Sequence, residues 1–245
     1  ILTNLEHRYA GFDGLNLTWE TLEGVIKHNG PLIHLLNQDN NLSRIIIGFN
    51  KKYNLKIDTY PSLEAQIASL SDDIAYNNHD IDDGLRAGLF TVNDLMDIPI
   101  IGNVVNEVIN LYGDNLEKSR LYNEIVRRTI NAMVVDLITQ TKIKLEDSEI
   151  RNVEDIRNST NMIASFSDKI HNDNLLLKKF LYVNMYKHPF VVQMTESAKI
   201  VVKDLFNIFT NDYKLLPEDW KQLISGDKYK NIILISDYLS GMTDR

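Results

Sequence analysis

The chain has 245 residues, a formal net charge of -8, 44% hydrophobic and 24% charged residues, and no cysteine. That length allows one large domain or two small ones around a core of useful size, and the acidity argues against a dedicated nucleic-acid coat. Without cysteine there are no disulfides or thiolate sites, so any metal must be held by His, Asp or Glu, and the composition fits a reducing compartment such as the cytoplasm.

No apolar run approaches the ~20 residues that cross a bilayer; Ile98-Pro99-Ile100-Ile101 and Ile232-Ile233-Leu234-Ile235 are among the longest, so no membrane partner is expected. The chain opens Ile1-Leu2-Thr3-Asn4-Leu5-Glu6, without Met or a basic leader, and ends at Arg245 without a stop-like tail. Both ends read as those of a piece of a longer protein.

The dominant period is helical throughout, which predicts an all-α fold with at most a minor hairpin. Thr18 is the expected N-cap of a helix through Leu22, Val25 and Ile26, with Glu20 and Glu23 near its start and Gly30-Pro31 at its end. Residues 32 to 58 read as irregular with short helices. Tyr60-Pro61-Ser62 is a stop followed by a start, Ser62 capping the next helix. Residues 91 to 118 read as looser. Residues 119 to 141 form a long helix with Ile125, Ile130, Met133, Val134, Leu137 and Ile138 on its apolar face. The charge-rich stretch Lys144 to Asn161 reads as a connection, followed by helices at 175 to 186, 191 to 209, 217 to 223 and 228 to 241. The expected division is a catalytic helical lobe over 1–145, a connection over 146–164 and a C-terminal lobe over 165–245.

The helix after Ser62 carries the chemistry. At 100° per residue, Leu63, Ile67, Leu70, Ile74, Ile81 and Leu85 fall on one side as a core stripe. Asp72, Tyr76, His79, Asp80 and Asp83 fall in a wedge on the other, which Ala65 and Ala68 extend toward the N-terminus. Short carboxylates held close to a helical backbone suit a metal ligand or a hydroxyl acceptor, and like charges this close repel unless a cation or donor sits among them. A solvated acidic face with Tyr76 packed at its edge accounts for the same spacing.

The run Pro61-Ser62-Leu63-Glu64-Ala65-Gln66-Ile67-Ala68-Ser69-Leu70-Ser71-Asp72-Asp73-Ile74-Ala75-Tyr76-Asn77-Asn78-His79-Asp80 resembles the HD-superfamily deoxyguanosine triphosphate triphosphohydrolase-like proteins of bacteria. So do Leu5-Glu6-His7-Arg8-Tyr9, Phe12 to Thr18, Glu20 to Pro31, Glu124-Ile125-Val126-Arg127-Arg128 with Met133 and Asp136, Tyr182 to Pro189, and Tyr238 to Arg245. The resemblance implies an HD-type helical domain, seen in part, with a phosphohydrolase-associated C-terminal lobe. It implies hydrolysis of a deoxynucleoside triphosphate to deoxynucleoside and intact triphosphate, by water attack at the α-phosphorus with a divalent metal (Mg, Mn or similar) as Lewis acid. Within the resemblance Asp72 is the last metal ligand, Tyr76 and Asp80 face the deoxyribose with Asp80 toward the 3′-hydroxyl, and Tyr122 packs on the sugar. The other ligands, one His and an adjacent His-Asp pair, belong before Ile1; His79-Asp80 follows Asp72 and does not replace them. The chain alone is therefore expected to be inactive. The resemblance also implies a homo-oligomer and a nucleotide or single-stranded DNA as regulator.

Arg120, Arg127 and Arg128 could approach a triphosphate, whose anionic oxygens suit Arg, and Arg127 and Arg128 equally suit a solvated helix face. His28, His34, His171 and His188 have no partner at ligand spacing and read as structural, and Trp19, Trp220, Tyr182 and Tyr186 as core or interface residues. Two functions follow: a metal-dependent triphosphohydrolase, or a non-catalytic helical interaction module that keeps only the oligomerising surfaces.

Overall fold

The structure, a computed structural model, describes residues 2–36 and 41–242; the chain ends read above, Ile1 and Thr243 to Arg245, lie outside them. Among the described residues every regular element is a helix, apart from one isolated antiparallel bridge between Tyr9 and Phe12. The fold is all-α, as the periodicity predicts. The chain divides into two compact units, one of Leu17–Met185 and one of Ile1–Asn16 with Tyr186–Arg245.

The larger unit holds α1 (Trp19–Ile26), α2 (Ile33–Leu36), α3 (Asn41–Tyr53), α4 (Leu63–Ala87), α5 (Pro99–Tyr112), α6 (Lys118–Asp147), α7 (Val153–Arg157) and α8 (Asp168–Leu181). Local chemistry sets the ends of α4. The Ser62 hydroxyl accepts from the amide of Ala65, and Gly88, at φ 69, closes the helix in a left-handed conformation that a side chain would resist. The core joins α4, α5, α6 and α8 through Ile74, Ile81, Leu85, Ile101, Val105, Ile125, Met133 and Leu177.

Two stretches depart from the sequence reading. Residues 99–112, read as loose, form α5, whose Ile100, Ile101, Val104, Val105 and Val108 are all buried. Its buried positions recur at helical spacing while Asn103, Asn106, Glu107 and Asn110 on the other face stay exposed, so the amphipathic period is present in the sequence and the reading passed over it. Within 32–58, α3 runs for 13 residues, longer than the short helices expected.

Polar side chains fix the connections. Gln66, buried in α4, accepts from the amides of Ile163 and Ala164 at 2.8 and 3.1 Å and donates to the Pro61 carbonyl at 3.0 Å. Asp136 of α6 takes the amide and hydroxyl of Ser167 at 2.8 and 2.7 Å, and Ser167 in turn caps α8. The smaller unit holds α9 (Pro189–Asn211), α10 (Glu218–Lys221) and α11 (Lys228–Ser240). Phe209, Leu216 and Ile235 form its core, with the Tyr238 ring against those of Phe209 and Trp220.

Candidate functional site

The wedge on α4 opens to solvent for most of its length. Asp72, Tyr76, His79 and Asp83 are exposed, Tyr76 by 57%. Asp80 is the exception at 7% exposure. The expectation that it stands opposite the core is corrected: it sits at the wedge's edge, beside the buried face that Asn77, Ile81 and Gly84 form.

Beside the N-terminal half of the wedge, α1 and α4 enclose a cleft of ≈ 640 Å³, lined among others by Gly24, Val25, His28, Ala65 and Ala68. The crossing is close because Gly24 has no side chain. A Cβ built there would lie 3.1 Å from the Ala65 Cβ, tighter than ordinary van der Waals contact. Farther along, His28 Nε2 comes within 3.7 Å of Asp72 Oδ2. The sequence reading left His28 without a partner, because it looked for ligands at helical spacing and this one lies on another helix.

A buried ionic cluster holds α1 in place. Glu23 and Lys27 are fully buried, Arg157 nearly so. Arg157 donates from Nε and Nη2 to the two oxygens of Glu23 at 2.8 and 2.7 Å, and from Nη1 to Glu154 at 2.7 Å. Its guanidinium also lies 4.9 Å from the centre of the Trp19 ring. The Lys27 ammonium meets Glu23 at 2.7 Å, the carbonyls of Lys56 and Tyr60 at 3.0 and 3.1 Å, and the Thr59 hydroxyl at 3.0 Å. Burial pushes the Glu23 carboxyl up, but hydrogen bonds from Arg157 and Lys27, with their charges, outweigh it and hold the group below its ordinary value. Burial pushes Lys27 below its ordinary value against the pull of Glu23. The Glu23 hydrogen bond leads in pushing Arg157 up. The stretch read as a connection thus carries, in α7, one of the best-held side chains of the unit.

Arg120 and Tyr122 lie elsewhere, at the start of α6. Arg120 is exposed, 3.4 Å from Glu117, and lines a shallow hollow with Tyr112, Leu116, Asn123 and Glu124. Tyr122 is half-buried against the main core. Arg127 and Arg128 both pair with Glu124, and Arg128 also with Glu107, as on a solvated helix face.

No three His, Cys, Asp or Glu side chains converge on a common point among the described residues. The exposed Asp72 carboxylate is of the kind a divalent cation accepts, and it fits such an ion as one member of a shell.

Residues 164–245 match the phosphohydrolase-associated domain. The whole chain is similar to proteins named deoxyguanosinetriphosphate triphosphohydrolase-like protein. The one from Brucella suis is 43% identical over 247 residues, 100% of this chain and 61% of the relative. That from Parvibaculum lavamentivorans is 42% identical over 246 residues, 100% of this chain and 62% of the relative. The chain thus spans about three fifths of the length of these curated relatives. No described helix is long and apolar enough to cross a membrane.

Proposed function

We propose that this chain, a homologue along its whole length of the deoxyguanosinetriphosphate triphosphohydrolase-like proteins, supplies one metal ligand and part of the nucleotide pocket of a triphosphohydrolase. The intact protein converts a deoxynucleoside triphosphate, dGTP or a close analogue, to deoxynucleoside and inorganic triphosphate. The carrying observation is Asp72: a carboxylate open to solvent, on a helix whose other face is locked in the core, within a chain that matches these relatives from end to end.

Asp72 would hold a divalent cation, which when bound supplies Lewis-acid polarisation of the reacting water and phosphate. We place the remaining ligands in the length that the relatives have beyond this match. Asp72 cannot fix such an ion alone, since catalytic sites take about three protein ligands, so the chain by itself should not turn over. Tyr76, one turn on, offers an exposed ring to the deoxyribose, and Asp80, two turns on, an acceptor for the 3′-hydroxyl. Asp80's burial at the wedge's edge supports this, because a carboxylate with limited freedom selects for geometry. Tyr122 would pack on the sugar and Arg120 reach the triphosphate, both from the start of α6. We place the protein in the cytoplasm, with a nucleotide or single-stranded DNA as its regulator.

The test is a product analysis. The intact protein with dGTP and Mn²⁺ or Mg²⁺ should release deoxyguanosine and triphosphate in equal amounts, and chelation should stop it. Release of pyrophosphate and dGMP, or no turnover of any deoxynucleoside triphosphate, would refute the reading.

A second reading, a non-catalytic interaction module, has its own support. Phe190, Met194, Val201 and Ile208 line one face of α9, and all are more than 45% exposed. Self-association through this face is compatible with either function, and light scattering on the intact protein tests it: a monomer at all concentrations would exclude it.

A further inference from the structure

We propose that His28 is a positioning residue for the Asp72 carboxylate: its Nε2–H donates to Oδ2 and leaves the other oxygen turned toward the cation. The inference rests on the reading of Asp72 as a metal ligand and adds a residue that neither helical spacing nor the resemblance assigns.

Three observations carry it. First, the two side chains already face each other, 3.7 Å apart across the α1–α4 crossing, and His28 is the ionic neighbour found for Asp72 among the described residues. A sub-ångström adjustment closes that distance to a hydrogen bond. Second, the approach is built into the backbone. Gly24, four residues before His28, lets α1 press onto Ala65, and His28 follows in the turn just past the end of that helix. Third, α1 is clamped next to His28. Lys27, its immediate neighbour, is anchored by Glu23, Lys56, Thr59 and Tyr60, and Glu23 is gripped by Arg157. The turn after the helix is closed by the Gly30 amide on the Lys27 carbonyl at 2.8 Å. His28 therefore sits in a turn whose two neighbours in the chain, α1 and Gly30, are both held.

The arrangement has little use as a source of stability. The side chains are 44% and 67% exposed, and an ion pair in that setting is screened by water. Its use is orientation. A carboxylate that ligates through one oxygen needs a donor on the other to hold its plane, and such partners typically govern metal affinity by about 10- to 100-fold.

The test measures Mn²⁺ affinity of the metal-free intact protein by electron paramagnetic resonance or calorimetry, with thermal unfolding as control. His28→Ala should weaken Mn²⁺ binding by roughly 10- to 100-fold with an unchanged unfolding midpoint. His28→Gln, which keeps an N–H at similar reach, should recover most of that affinity. If Asp72→Asn weakens Mn²⁺ binding while His28→Ala does not, or if His28→Gln is no better than His28→Ala, the positioning role is wrong and Asp72 stands as a ligand. If Asp72→Asn itself leaves Mn²⁺ affinity unchanged, the underlying reading fails and takes the inference with it.

Discussion

Arg157 and Glu23 meet as a two-pronged ion pair inside the larger unit, at 2.8 and 2.7 Å, joining α7 to the first helix of that unit across most of its sequence. The pair sets where α1 lies, and with it the cleft wall that carries His28. Burying charges is costly, so the pair contributes less than its contacts suggest, but breaking it leaves an uncompensated charge in the interior.

Arg157→Ala should therefore destabilise the intact protein by about 3–5 kcal/mol, and Glu23→Ala by a similar amount because it strands both Arg157 and Lys27. Urea unfolding measures this. Replacing Glu23 and Arg157 together by apolar residues of similar size should cost less than either single change. A loss under about 1 kcal/mol for each single variant would mean that water reaches the cluster.

Asp173 gives the stability a pH dependence. It is buried at 5% exposure on α8, and its Oδ2 has no hydrogen-bond partner among the described residues. Burial raises its carboxyl above the ordinary value, against Lys169 and a hydrogen bond from the Ile100 amide. The folded chain thus holds this proton more tightly than the unfolded chain. The resulting stabilisation is complete below the ordinary carboxylate value, about 4, and is lost as pH rises through the raised one. Asp173→Asn removes that titration, so the variant should gain on the wild type between pH 4 and neutrality. A constant difference in unfolding midpoint over that range would contradict the assignment.

Gly84 makes room for an aromatic ring. A Cβ at this position would collide with the Phe90 ring, which packs edge-on against Phe180 with ring centres 5.1 Å apart. Gly84→Ala should cost roughly 1–3 kcal/mol through overpacking, although Ala is the better helix former. Phe90→Leu in the same chain should restore part of the loss. A Gly84→Ala variant more stable than the wild type would show that Phe90 turns aside freely.

The legible parts of the fold are those whose signals are local. Thr18 and Ser62 were readable as caps because each precedes an apolar period by one turn and accepts from the third amide on. The exposed run of Asp72, Tyr76, His79 and Asp83 followed from angle alone. The α5 helix was legible as well, since Ile100, Ile101, Val104, Val105 and Val108 recur at helical spacing opposite Asn103, Asn106 and Asn110. The other departures share one cause, the tertiary environment. The charge run holding Glu154 and Arg157 resembles a solvated loop until Glu23 is brought to it. Asp80 lies at the edge of the wedge, where the packing of neighbouring helices decides between water and core. His28 lacked a partner only within its own stretch of chain.

The central claim is that Asp72 is a metal ligand of a triphosphohydrolase, and the most direct measurement is metal content and triphosphate release from dGTP by the intact Asp72→Ala protein. The variant should fold as the wild type does, within about 0.5 kcal/mol, because the side chain is exposed. It should lose metal by more than the roughly 100-fold typical of residues that merely support a ligand, and lose triphosphate release with it. Asp80→Ala, measured alongside, should keep the metal and lose affinity or selectivity for the deoxy sugar. Full metal content and normal triphosphate release from Asp72→Ala would contradict the account.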